Sequence, residues 1–200
     1  VTALFVMITI SVKDVCLMDG LTEKKKSSKE IFKGRIVHLF VDNVLLPNGQ
    51  ESTREVVKHP GAVAVIAVNK EGKLLLVRQY RYPLDGIIYE IPAGKLEPGE
   101  NPDDSALREL EEETGCQCER LEKIASFYSS PGFSDELLHV YFTDSLIEGK
   151  QHLDQDEFLE VCAIDLNEAI KMVEDHRIYD AKTVYAVQYM QLRENQNKHN

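Results

Sequence analysis

Two short apolar runs constrain the fold of this chain more than any other feature. Residues 62–68 (AVAVIAV) contain no polar side chain, and residues 73–80 (KLLLVRQY) resume the pattern after a turn at 69–72 (NKEG). Such runs fit strands covered on both faces, and the Gly-containing loop between them reads as the turn of a buried hairpin. Residues 35–46 (RIVHLFVDNVLL) and 54–59 (REVVKH), divided by Pro47-Asn48-Gly49, read as an earlier hairpin that Pro60-Gly61 ends. Further strands are expected at 87–91, 136–142 and 158–164, and helices at 102–114, 167–174 and 181–193. Mixed strands with few helices, without a regular βαβ alternation, point to an α+β fold with a sheet sandwiched against helices.

The start of the chain reads differently. Residues 1–12 (VTALFVMITISV) are apolar but too short to span a bilayer, which takes about 20 residues, and no basic segment precedes them as in a secretory signal. Met18 is a candidate native start, which would leave residues 1–17 outside the native chain. The lysine-rich stretch 20–29 (GLTEKKKSSK) is expected to be flexible. This gives a flexible lead-in over 1–30, a β-strand region over 31–60 and the main domain over 61–200. Four cysteines (Cys16, Cys116, Cys118, Cys162) form no CxxC pair and read as free thiols of a reducing, cytoplasmic setting. The net charge of −11 disfavours nucleic acid and anionic membrane as partners, because phosphate surfaces need a positive footprint.

Much of that charge sits in one place. Residues 94–116 (GKLEPGENPDDSALRELEEETGC) hold eight acids and two bases, a net of −6. Asn101 as cap, Pro102 at the first position, Asp103 and Asp104 in the first turn and Gly115 past the end delimit a helix. At 100° per residue, Ala106, Leu107 and Leu110 form a core-facing stripe. Glu109, Glu112 and Glu113 gather on another side, and Glu111 points away from both. Like charges three and four apart repel. A solvated acidic face is one reading; the other is a hard divalent cation, which takes several carboxylate oxygens. Glu100, Arg108 and the glycines at both ends favour the second. The six histidines show no ligand spacing and no GxSxG elbow is present, so a histidine metal site and a serine hydrolase are poor competitors.

With Gly94, Glu100, Arg108, Glu109, Leu110, Glu112, Glu113 and Gly115 in register, this segment resembles the Nudix box. It departs only at Cys116, where the family prefers Ile, Leu or Val. The resemblance implies an α/β/α sandwich with a mixed β-sheet and hydrolysis of a nucleoside diphosphate linked to another group. It also implies metal ligands at Glu109 and Glu113, with Glu112 and the Ala93 carbonyl available. Arg108 would orient the glutamates, and Glu100 would brace the box. The implied cofactor is Mg²⁺, with Mn²⁺ as a substitute.

Pro131, 15 residues after Cys116, is similar to the proline of the ADP-ribose pyrophosphatase subgroup. So are the stretches REVV (54–57), RQYR (78–81), EIPAG (90–94) and DEFLEV (156–161). That subgroup carries an N-terminal antiparallel β-strand domain exchanged between two subunits, which implies a homodimer through the N-terminal strands. By the same resemblance Arg81 contacts phosphate, Arg54 and Glu55 lie at the adenosine end, and Gly94 and Pro131 fall on the substrate side. Phe40, Tyr80 and Arg54 are the candidates to stack on adenine. Glu157 is the preferred general base, with Asp156, Asp154 and Glu112 behind it. The implied substrate is ADP-ribose; the alternatives are another nucleoside diphosphate sugar or dinucleotide, or a non-catalytic sensor of ADP-ribose. All box glutamates are present and no basic helix-turn-helix region follows, which speaks against the sensor.

Overall fold

The computed structural model describes residues 20–153 and 158–198. Expectations for residues 1–19, the Met18 start and Cys16 included, and for Asp154, Asp156 and Glu157 lie outside the described residues. The chain divides into two compact units, residues 1–58 and 59–200.

The first unit is a three-stranded antiparallel sheet, β1 (Lys24–Lys33), β2 (His38–Leu45) and β3 (Glu51–Lys58), in that spatial order. The hairpin β2–β3 agrees with the sequence reading. The flexible lead-in to residue 30 does not, because Lys24–Lys33 is a strand. All ten of its residues are exposed, so it lacks the apolar alternation by which a strand is recognised. Backbone pairing to β2 holds it, together with polar side chains. The Ser28 hydroxyl donates to Asp42, Asn43 Nδ2 donates to Ser27 Oγ at 2.9 Å, and Lys25 pairs with Asp42 at 3.3 Å.

The second unit contains β4 (Ala62–Ala67), β5 (Leu74–Arg81), β6 (Gly86–Glu90), β7 (Ala93–Lys95), α1 (Pro102–Thr114) and β8 (Cys116–Cys118). It continues with β9 (Glu122–Tyr128), β10 (Leu137–Thr143), β11 (Leu146–Glu148), β12 (Leu159–Ile164), α2 (Leu166–Glu174) and α3 (Ala181–Lys198). The apolar runs do become its central strands, but not as a hairpin pair. One bridge, Val68 to Leu74, joins them at the turn. β4 then lies between β7 and β10, parallel to β10, in the order β7-β4-β10-β9. β5 lies between β12 and β6 in a separate sheet. A run apolar on both faces reports that it is central; it carries no information on which strand pairs with it.

Alternation along β4 divides the core. Ala62, Ala64 and Ile66 pack in a cluster with Ala169 and Met172 of α2 and Ala186 and Val187 of α3. Val63, Val65 and Ala67 pack with Ala106 and Leu110 of α1. Helices therefore cover both faces of the β4 sheet, the α/β/α sandwich with mixed strand directions. Each fully buried Val, Leu or Ile contributes roughly 1.5–3 kcal/mol, so this layer anchors the elements that carry the site.

Helix α1 begins and ends as its sequence directs. Asn101 Oδ1 accepts from the Asp103 N–H at 3.0 Å, and Pro102 occupies the first position. Gly115 adopts φ 71° and its N–H returns to the Glu111 carbonyl at 2.8 Å. The Tyr141 hydroxyl donates to Asp103 Oδ1 at 2.7 Å, fixing the first turn to β10. One assignment on this helix is corrected. Leu107 is 41% exposed, whereas Ser105, Ala106, Glu109, Leu110 and Glu113 are buried. The buried arc of α1 thus includes two carboxylates, and the apolar and acidic faces overlap.

Candidate active site

The site is built from the β7 strand and α1 lying against it. Glu109 and Glu113 are 9% and 3% exposed. Glu113 Oε2 accepts the Ala93 N–H at 3.0 Å. Gly94 sits directly under Glu109, and a Cβ built on Gly94 would fall within the Glu109 carboxyl group. A side chain at position 94 would therefore displace the Glu109 carboxyl from the place it holds. At the far end of the helix, a Cβ on Gly115 would come 2.6 Å from the Gln151 backbone nitrogen. Here Gln151 Nε2 donates to the Glu113 carbonyl at 2.6 Å, and the His152 N–H donates to the Glu112 carbonyl at 3.1 Å. The carboxyl end of α1 is thus closed by the chain that follows β11.

Arg108 gathers the remaining acids. Its Nε and Nη2 donate to the two Glu100 oxygens at 2.9 and 3.0 Å, a bidentate fork. Nη1 donates to Glu109 Oε1 at 2.8 Å and to Glu112 Oε2 at 2.9 Å. Glu100 also accepts the Glu97 N–H at 2.9 Å. The Arg108 fork, then this backbone N–H, pull the Glu100 carboxyl down to about 2, and the same acids hold Arg108 firmly protonated. Arg108 thus contacts Glu109 and Glu112, and Glu100 contacts Arg108.

Arg108 is the cation of three carboxylates, and Glu113 follows one helical turn beyond Glu109; of these four acids Glu109 and Glu113 are buried. Buried charge must be compensated. Among the described residues no group of three His, Cys, Asp or Glu is gathered as a finished metal cluster, and Arg108 lies hydrogen-bonded between Glu109 and Glu112. The fit to a metal therefore rests on the donor chemistry. Glu109 and Glu113 offer hard, nearly dry oxygen ligands over a glycine floor, with net negative charge left over. These residues fit a hard divalent cation.

Arg81, at the end of β5, forks onto Glu90 of β6, Nε to Oε1 at 2.6 Å and Nη2 to Oε2 at 2.9 Å. Glu90 also accepts from Lys182 of α3. Glu90 and Lys182 escaped the sequence reading as functional residues. The available signal was a lone acid closing the apolar strand 86–90, with Asp180 three residues before Thr183 as a helix-start pattern.

In the first unit, Arg54 forks onto Glu23. Arg54 and Glu55 are successive on β3, in unbroken register with β2, so they point to opposite faces of that sheet. The expected adenosine-end pair is not brought together on one face. Phe40 is half-buried on β2; Tyr80 is exposed, its hydroxyl donating to Asp85 Oδ1 at 2.7 Å. Pro131 lies in the exposed turn between β9 and β10, where the Phe133 N–H returns to the Ser130 carbonyl. Cys116, Cys118 and Cys162 are free. Among the described residues no helix is long and apolar enough to cross a membrane.

Comparison with known proteins agrees with this geometry. Residues 58–186 match the NUDIX domain, and residues 23–57 match the nucleoside diphosphate sugar hydrolase N-terminal domain. The chain is 55% identical over 179 residues to the ADP-ribose pyrophosphatase of Bacillus subtilis, covering 88% of this chain and 97% of that one. It is 55% identical over 174 residues to the methanol dehydrogenase activator of Bacillus methanolicus, covering 86% and 94%. It is 32% identical over 177 residues to the GDP-mannose pyrophosphatase of Yersinia enterocolitica, covering 82% and 91%. A buried glutamate pair over a glycine floor, an arginine that ties three acids together and a matched domain around them identify the chain as a member of the Nudix family.

Proposed function

We propose that the protein hydrolyses the pyrophosphate of ADP-ribose, with water, to AMP and ribose 5-phosphate. The observation that carries the reading is the buried Glu109–Glu113 pair over Gly94, set in a chain 55% identical to an ADP-ribose pyrophosphatase along nearly all of that enzyme. Glu109 and Glu113, with Glu112 and the Ala93 carbonyl available, would hold Mg²⁺, or Mn²⁺ in its place. A cation held there would supply neutralisation of charge on the phosphoryl oxygens and acidification of a water. Arg108 keeps Glu109 and Glu112 in place, and Glu100 keeps Arg108 in place. Arg81 offers its guanidinium to the diphosphate. Glu157 takes the proton of the attacking water.

Gly94 and Pro131 complete the substrate side, and Arg54 and Glu55 serve the adenosine end. Because those two face opposite sides of β3, Arg54→Ala and Glu55→Ala separate which face reads adenosine. A homodimer through the N-terminal strands is supported by the exposed Ile31, Phe32, Ile36 and Val37, apolar surface of the kind a second copy covers. Free thiols support a cytoplasmic setting.

The test is AMP release from purified protein with ADP-ribose and Mg²⁺, run beside GDP-mannose. Efficient, metal-dependent cleavage of ADP-ribose is expected; preferential cleavage of GDP-mannose would reassign the substrate. A second reading is favoured by the equal identity to the methanol dehydrogenase activator: the protein modulates a dehydrogenase. Stimulation of methanol oxidation by wild type and equally by Glu109→Gln would establish that role as separate from hydrolysis.

A further inference from the structure

A row of four alternating charges runs from the start of α3 to the exposed end of β5. Asp180 caps the helix: its Oδ2 accepts the Thr183 N–H at 3.0 Å and the Thr183 hydroxyl at 2.6 Å. Its Oδ1 accepts from Lys182 Nζ at 3.1 Å. Lys182 also donates to Glu90, and Glu90 holds the Arg81 fork. The two middle members are enclosed, the Glu90 side chain 2% exposed and that of Lys182 15%; the Arg81 side chain, at 43%, opens to solvent. The same helix turn grips the neighbouring backbone, because the Ile91 N–H donates to the buried Thr183 hydroxyl at 2.9 Å. Ile91 is two residues before Ala93, whose N–H meets Glu113.

The row has a consequence for Arg81. A buried carboxylate paired with one arginine cancels that arginine's charge and occupies its fork. The fork uses Nε and Nη2 and leaves Nη1 outside it. Lys182, by sharing Glu90, offsets part of the acid that surrounds Arg81, where Glu113 and Asp180 act on the guanidinium besides Glu90. Without Lys182, three carboxylates (Glu90, Asp180 and Glu113) would act on one guanidinium, and the excess of acid beside the place where a diphosphate must sit would double from one charge to two.

We infer that Lys182 is a positioning residue for nucleoside diphosphate binding: by pairing with Glu90 and Asp180 it keeps the Arg81 guanidinium aligned for the substrate phosphates and lessens the acid that opposes it. The inference rests on the hydrolase reading above and adds to it the part played by α3. Lys182→Met is expected to raise KM for ADP-ribose about tenfold, the scale of one charge-assisted hydrogen bond, with kcat little changed. Lys182→Arg is expected to restore KM. On an Arg81→Ala background, Lys182→Met is expected to add nothing, since its effect passes through Arg81. Lys182→Gln takes the place of Lys182→Met if the latter fails to fold. An unchanged KM overturns the inference, and so does a full further rise on the Arg81→Ala background, which would put Lys182 on the substrate itself. A wild-type protein that cleaves no nucleoside diphosphate overturns both this inference and the reading beneath it. An active wild type with an indifferent Lys182 overturns the inference alone.

Discussion

The two arginine clusters of the second unit use the same fork for different ends. Arg108 stands alone among Glu100, Glu109, Glu112 and the neighbouring Glu113, so its cluster is short of positive charge. Arg81 and Lys182 face Glu90 and Asp180 in matched pairs, with Glu113 of α1 acting on Arg81 as well, so that cluster is nearer to balance. Burial falls in the same places in both: Glu109 and Glu113 in the first, Glu90 in the second. Burial pushes the Glu90 carboxyl upward, yet the Arg81 fork and Lys182 outweigh it and leave the group below its ordinary range. The first cluster holds an excess of acid that a hard divalent cation would offset; the second pairs its acids with its own cations and can serve as a holder. A surplus of acid in a protein interior points toward a cation, whereas paired acids and bases can hold one member of the network in place for a ligand.

The comparison breaks first at the unbalanced cluster. Glu113→Gln keeps shape and removes a buried ligand charge, so kcat for ADP-ribose should fall about a thousandfold, as when a group stabilising transition-state charge is lost. Circular dichroism should show the fold retained. A variant with near wild-type kcat would remove Glu113 from metal binding. Gly94→Ala comes next, because the added methyl displaces the Glu109 carboxylate. Activity should fall about a hundredfold and overpacking should cost about 1–3 kcal/mol, read as a Tm lowered by several degrees. An alanine variant with unaltered Mg²⁺ dependence would show that Glu109 can move aside freely. Arg108→Lys retains charge but loses the fork that spans Glu100, Glu109 and Glu112. A loss of about ten- to a hundredfold is expected, the range for residues that orient ligands, with weaker apparent Mg²⁺ affinity in the same titration.

How far these clusters were legible differs for a physical reason. The Arg108 cluster is local: its acids lie within 14 residues on one loop and helix, so spacing alone placed them together. Even there Leu107 was misplaced, because the buried arc of α1 follows the carboxylates Glu109 and Glu113 instead of the apolar side chains alone. The Arg81 cluster joins β5, β6 and α3, and the Glu90–Lys182 contact spans 92 residues. No periodicity encodes such a pairing. The apolar runs disclosed central strands but not their partners, since β4 chose β7 and β10 over β5. Strand β1 was hidden for the opposite reason, its first seven residues being polar and its two apolar ones, Ile31 and Phe32, adjacent and exposed at its end.

The smallest effect sharpens the contrast through pH. The Glu100 carboxyl is held at about 2, against 4.5 when free, by the Arg108 fork and the Glu97 N–H. A carboxyl depressed by folding adds stability that is fully present above the unfolded value. That contribution is lost as pH falls from 4.5 through about 2. Glu100→Gln abolishes this contribution. Thermal melts of wild type and variant should therefore differ by a constant few degrees near neutrality and converge across that acid window. Glu109 and Glu112 still hold Arg108 in the variant, so the gap at neutral pH stays modest and activity falls less than in Arg108→Lys. Curves that stay parallel down to pH 2 would mean that Glu100 braces the box by shape, and that the charge of the Arg108 cluster resides wholly in the helix glutamates.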